Sequence, residues 1–365
     1  MTAPVQTASA SDQLARPGWA RRLTEVPEFG VIAACIVVFV GVTIARPSFA
    51  NGDNLQVIGL DLANYGILAV GVTFAILTGG IDLSPGSVVA FSSMVSAYLN
   101  VNVGVPVWLC IVISIAIGVV IGYLHGWFVT RLNVPPFAIT LVTLTAAAGG
   151  ALALTKGQPI SGVSPFYGKI VETNVAGIPV PVIIFAVVAV AAWFFLERTY
   201  AGRQIYAVGG NREAARLSGI PVLRRLGITY VISGGCAGLV GVLVIGRIGV
   251  GDPSVGSGWE LDAIAAAVIG GVSLYGGEGR IIGVVAGALL LMLINNALIV
   301  LNVSPFYQQV ALGLVLGVAI VADRVRAQRR GRPRPRRLPP SIAGAVNAAA
   351  PAPGTGATDA AKGEQ

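Results

Sequence analysis

Apolar residues run along this chain in blocks of roughly 15 to 25, each closed by glycine, proline or charge, and a block of that length crosses a bilayer as a helix. About ten such blocks stand out, at 29–46, 55–78, 84–100, 105–130, 136–154, 178–196, 222–246, 261–275, 281–301 and 305–322. None alternates apolar and polar positions with a period of two, as a spanning strand would. The pattern predicts an all-α polytopic membrane protein with about ten transmembrane helices. The eighth block is short and flanked by glycine, so a broken or re-entrant helix is open there. Residues 1–28 are polar and lead into a full-length apolar block, which reads as a cytoplasmic N-terminal segment before an uncleaved signal anchor. Residues 323–365 begin with a run of arginines and continue rich in Ala, Pro and Gly. That composition cannot bury enough apolar area to fold and reads as a disordered basic tail, leaving 29–322 as the transmembrane domain.

Composition agrees with the pattern. Apolar residues are 55% of the chain and charged residues only 11%, where a soluble domain carries about a quarter charged. Charge sets the orientation, because basic residues gather on cytoplasmic loops. With both termini cytoplasmic, only Arg46, Lys156, Lys169 and Arg247 fall outside, of 24 basic residues in all. The net charge of +8 therefore reports topology and headgroup contact, not a nucleic-acid partner.

One segment between the first and last apolar blocks is long and strongly charged, the loop 197–225. In it Asn211 is a good N-cap, Glu213 sits where a helix dipole favours an anion, Ala214, Ala215 and Leu217 favour helix, and Gly219 with Pro221 stops it. The pattern predicts a helix of about two turns over 211–218, too short to persist without a surface to lie on. As residues alone it is equally a basic loop held by lipid headgroups and a docking helix for a soluble partner.

Chemistry is scarce elsewhere. Cys35, Cys110 and Cys236 lie in apolar blocks without pairing or metal spacing, and His125 is the only histidine, so no catalytic and no metal constellation is expected. The three lysines, Lys156, Lys169 and Lys362, form no Gly-Lys-Ser/Thr phosphate loop, and no cofactor is expected on this chain. Acidic residues lie at block ends, where a proton relay would need buried ones. Energy for transport would then come from another subunit, which favours the docking reading of 211–218.

Asp82 stands in the break Thr78-Gly79-Gly80-Ile81-Asp82-Leu83-Ser84-Pro85-Gly86. A carboxylate there caps the next helix, pairs, or faces a water path. A second Gly-Gly break, Gly270-Gly271 with the turn through Gly277-Glu278-Gly279-Arg280, hints at an internal repeat. For a translocation path the candidates are Asn64, Thr78, Asp82, Phe137 and Thr140, since a polar solute needs amides, hydroxyls and an occasional aromatic along its way; polar residues in spans are also routine helix–helix glue.

These stretches resemble a known family. Gly79 to Gly86 resembles the GGIDLSVG signature of the ribose, xylose, arabinose and galactoside permeases of ABC importers, departing at Pro85. Val134-Pro135-Pro136-Phe137-Ala138-Ile139-Thr140-Leu141, Gly157-Gln158-Pro159-Ile160 and Thr199 to Pro221 are similar to further segments of that family. The resemblance covers about 30–325. It implies a permease paired with a second copy or homologue, ATPase subunits that bind ATP and Mg and dock on Asn211, Arg212, Glu213, Ala214, Ala215, Arg216, Leu217, Ser218 and Gly219, and a periplasmic or extracellular binding protein that delivers sugar. Lys156, Lys169, Asp252 and Glu260 are then outer-side candidates for that binding protein. A stand-alone facilitator or channel is the alternative.

Overall fold

The computed structural model describes residues 28–304 and scattered positions between 306 and 321. Helix α1 is Phe29–Ala45, followed by a short 3-10 turn Pro47–Ala50 and by α2, Gly52–Leu77. Helix α3, Pro85–Tyr98, is lengthened by a π turn Leu99–Val103. Then come α4 (Val107–Arg131), α5 (Pro136–Thr155), the short α6 (Pro165–Glu172) and a two-stranded hairpin, β1 (Asn174–Val175) with β2 (Ile178–Pro179). The chain continues through α7 (Val180–Arg198), α8 (Tyr200–Gly210), α9 (Arg212–Leu217), α10 (Val222–Ile248), α11 (Trp259–Ile269) and α12 (Ile281–Val300).

Proline opens α3, α5 and α6, where the missing amide hydrogen would have had no helical partner. Among the described residues six helices, α2, α4, α5, α7, α10 and α12, are long and apolar enough to cross a membrane, and α1 is a shorter apolar helix of 17 residues. Each apolar block from 29 to 301 coincides with a helix, but the third, at 14 residues in α3, and the eighth are too short to cross as regular α-helices. Helix α11 has 11 residues, about 16 Å at 1.5 Å per residue, half the thickness of the hydrocarbon core. It ends at Gly270, and Gly271 with φ of 91° turns the chain, so of the two readings left open for 261–275 the broken helix holds and the continuous one does not. The tenth block is described only at scattered positions, and the N-terminal segment before Glu28 and the tail from 323 lie outside the described residues.

The core runs along α2, α10 and α11: Ile67, Leu68, Phe74 and Leu77 meet Val240, Leu243 and Val244, with Ala263, Ala266 and Ala267 behind them. Helices α4 and α10 touch backbone to backbone. A Cβ on Gly118 would stand 2.0 Å from the Gly234 carbonyl oxygen, and one on Gly234 would stand 2.1 Å from that of Gly118. Gly122 and Gly126 continue the contact against Tyr230 and Gly227, and the Ser114 hydroxyl donates to the Gly238 carbonyl at 3.0 Å. Small residues admit this approach where lipid gives helices no hydrophobic reason to associate.

Two polar ties join distant helices. Arg247 of α10 pairs with Asp61 of α2. Asn54 of α2 and Asn296 of α12 exchange amide hydrogen bonds at 2.8 and 3.0 Å. Asn54→Leu or Asn296→Leu alone should cost about 1–3 kcal/mol, because each strands the other amide, while the double change should cost less than either. Thermal melts of the three variants check this, and additive losses would contradict it.

Candidate functional site

Helix α2 ends at Leu77, and the Thr78 hydroxyl folds back to the Ala75 carbonyl at 2.9 Å. Gly79 then takes φ of 74°, a left-handed turn that suits glycine. Gly80 passes under the Tyr230 hydroxyl, which a Cβ would meet at 2.1 Å. From Gly80 to Ser84 the chain has no regular structure, and Asp82 holds it. The Asp82 side chain is 1% exposed. Its Oδ1 accepts from the Ser84 amide at 3.0 Å and the Ser84 hydroxyl at 2.7 Å, and its Oδ2 accepts from the Ser233 hydroxyl of α10 at 2.7 Å. Ser84 occupies the N-cap of α3 without a side-chain cap bond, so neither residue caps α3 directly; Asp82 fastens the loop just before it.

Ser233 lies eleven residues into α10, about 16 Å from that helix's first residue. The chain therefore leaves α2 at the Val222 end of α10 and climbs to its middle before α3 begins. There Gly86 packs on the backbone of Gly256 and on the Glu260 carboxylate. The starts of α3 and α11 meet inside the bundle, and broken helices are tolerated at such depth where protein or a cavity surrounds them. Beside this meeting point a cleft of about 260 Å³ opens between Ser87, Ala148, Leu152, Ser254, Ser257 and Glu260. It gathers hydroxyls, a carboxylate and an apolar wall on one side of two helix starts. The three serines were not nominated from sequence; Ser87 follows the Gly79–Gly86 stretch directly and could have been. Glu260 is corrected: at 9% exposure it lines this cleft and is not a solvent-facing loop charge. Lys156 and Lys169 are exposed, and Asp252 is half-buried.

The charged loop folds as α8 and α9. Thr199 caps α8 by accepting from the Gly202 amide at 3.0 Å, and Asn211 caps α9 by accepting from the Ala214 amide at 3.0 Å. Gly219, with φ of 78°, ends the turn after α9. On α9, Ala215 packs against Val208 and Leu226, which is the surface so short a helix needs. Glu213 and Arg216 pair at 2.6 Å on its open face, and that contact holds the Glu213 carboxyl below the usual carboxylate range. Leu217 is 76% exposed, and Ser218 returns its hydroxyl to the Ala214 carbonyl at 2.9 Å.

Arg212 connects the loop to the break. Its guanidinium donates to the Thr78 carbonyl at 2.9 Å, and the Gly277 amide donates to the Leu77 carbonyl at 2.9 Å. Gly209 fits between them: a Cβ there would stand 1.8 Å from the Leu77 oxygen and 2.5 Å from the Gly277 nitrogen. The Tyr206 hydroxyl adds a bond to the Gly279 carbonyl at 2.9 Å. The end of α8, the start of α9, the break after α2 and the turn after α11 thus meet at one junction.

Of the remaining candidates, Thr140 of α5 is buried and its hydroxyl donates within reach of the Ile81 carbonyl at 3.3 Å and the Pro136 carbonyl at 3.1 Å. Thr78, Asp82 and Thr140 therefore gather around one loop. Phe137 is 55% exposed on α5, and Asn64 lies buried in α2, fourteen residues before Thr78, with its Oδ1 lacking a partner. His125 shares a 2.7 Å hydrogen bond with Thr143 and stands edge-on to Tyr230.

Residues 57–320 match a sequence family described as the permease component of a branched-chain amino acid transport system. The ribose import permease protein of Haemophilus influenzae is 40% identical over 294 residues, covering 80% of this chain and 91% of its own length. That of Bacillus subtilis is 39% identical, covering 82% and 94%. The L-arabinose transport system permease protein of Escherichia coli is 33% identical, covering 82% and 91%. No solved structure matches. A match over most of the chain, several apolar membrane helices and relatives of nearly equal length agree, and this chain belongs to that family of transport-system permease components, as a multi-pass protein of the bacterial cytoplasmic membrane.

Proposed function

We propose that the chain is the membrane-spanning subunit of an ATP-driven, binding-protein-dependent importer for a monosaccharide. The observation that carries the reading is the link from the exposed helix α9 through Arg212 to Thr78. A push on α9 at the cytoplasmic surface reaches the break before Asp82 through one side chain, without deforming a continuous helix. ATPase subunits would supply that push, since the sequence carries no Gly-Lys-Ser/Thr phosphate loop. Relatives named for ribose, allose and arabinose support a pentose or hexose as solute. The ten-span topology with cytoplasmic termini, the second permease copy and the extracellular binding protein complete this reading.

In the mechanism, the two ends of the bundle open in turn. Movement at the junction of Thr78, Gly209 and Gly277 shifts the loop that Asp82 ties to α10. Helix α3 starts at that loop and forms one wall of the cleft at Ser87 and Glu260, where hydroxyl and carboxylate groups suit a polyhydroxylated ring.

Replacing Arg212, Glu213 and Leu217 together should leave membrane insertion intact and abolish capture of the ATPase subunit in a mild-detergent pull-down. Full capture by the triple variant would sink the docking role of α9. Uptake by this chain alone would favour the facilitator.

A further inference from the structure

We infer that the cleft between α9 and the ends of α4 and α10 binds the headgroup of an anionic phospholipid. The cleft measures about 720 Å³. Arg131 enters it from the last turn of α4, Arg224 with Leu223 from the first turn of α10, and Arg212 and Arg216 from α9. Their presence together follows from the fold: α4 and α10 cross in backbone contact at Gly126 and Gly227, so their adjoining ends cannot diverge.

Charge and surroundings select the occupant. Four guanidinium groups face one carboxylate, Glu213, and both of its oxygens already accept from Arg216, at 3.0 and 2.6 Å. Arg131 and Arg224 are exposed and have no carboxylate partner among the described residues. A cluster of that sign at the end of spanning helices recruits anionic headgroups. The wall above it is apolar and open: Tyr123, Leu124 and Trp127 of α4 and Leu132 beyond it are exposed. Acyl chains would lie on that wall while the phosphate sits between Arg131 and Arg224, with Trp127, one turn from Arg131, near the level where aromatic side chains favour an interface. A soluble anion would use the arginines but has no need of the wall.

The test uses the full-length permease in detergent, with phosphatidylglycerol, phosphatidylcholine or inorganic phosphate added separately, and native mass spectrometry to count retained lipid. Phosphatidylglycerol should be retained in preference to phosphatidylcholine. R131Q/R224Q should weaken that retention about 25-fold, roughly a factor of five for each arginine, and R131K/R224K should keep most of it. The melting temperature of each variant shows whether it is folded. Equal retention of the two lipids, or undiminished phosphatidylglycerol on the glutamine variant, would overturn the inference. Displacement of the lipid by millimolar phosphate would assign the cleft to a soluble anion. Loss of the ATPase subunit from R131Q/R224Q with lipid retention unchanged would assign it to a protein partner.

Discussion

Gly234→Val is expected to remove most of the folded permease from the membrane. The new Cβ would stand 2.1 Å from the Gly118 carbonyl oxygen and 3.0 Å from the Gly122 amide nitrogen. Both are backbone atoms of a packed helix and cannot rotate aside. Relief requires α4 and α10 to separate, which also opens the Ser114–Gly238 hydrogen bond and the glycine contacts on either side. Overpacking of this kind costs about 3 kcal/mol, a large share of the stability of an ordinary domain. Gly227→Ala on the same helix is the control. A Cβ there meets nothing within 4 Å, so alanine should be neutral or raise stability by up to about 1 kcal/mol through helix propensity. Fluorescence-detected melting of the two variants separates a close-approach effect from a general intolerance of α10.

Asp82→Ala should abolish transport. It removes the acceptor for the Ser84 amide, the Ser84 hydroxyl and the Ser233 hydroxyl together, at a side chain only 1% exposed. Each stranded donor costs about 1–3 kcal/mol, and the loop between α2 and α3 loses its tie to α10. Asp82→Asn is the informative partner. Its amide oxygen can keep the two Ser84 bonds, and Ser233 can turn its hydroxyl to accept from the amide nitrogen, so much of the loop should survive. Transport retained at a tenth or more of wild type, about 1.4 kcal/mol or less of loss, would mean that Asp82 acts by holding the loop. An Asp82→Asn protein with a normal melt and no uptake would mean that the negative charge itself is used.

That the apolar blocks form helices was readable because a bilayer selects both run length and composition, although α3 and α11 fall short of a span. The α9 helix was readable too, since Asn211, Gly219 and Pro221 mark its ends by local rules, while the surface that keeps so short a helix folded comes from Val208 and Leu226. What escaped was whatever depends on distant partners. Asp82 and Ser233 are 151 residues apart, and Arg212 and Thr78 are 134 apart, so no spacing rule joins them. The half-length of α11 was half legible: the short, glycine-flanked block left a broken helix open, and the left-handed Gly271 decides for it, ending the helix at Ile269 inside a block that runs apolar to Tyr275. Glu260 was misplaced because it stands one residue before the eighth block, where a loop charge was expected and the chain in fact turns inward to meet Gly86.

The most direct measurement is uptake of labelled ribose into proteoliposomes that contain this permease with and without its ATPase subunit, in the presence of binding protein. Uptake that requires the ATPase and ATP, and that vanishes when Arg212, Glu213 and Leu217 are replaced, is the expected result. Ribose entry through the permease alone, equal with and without ATP, would contradict it.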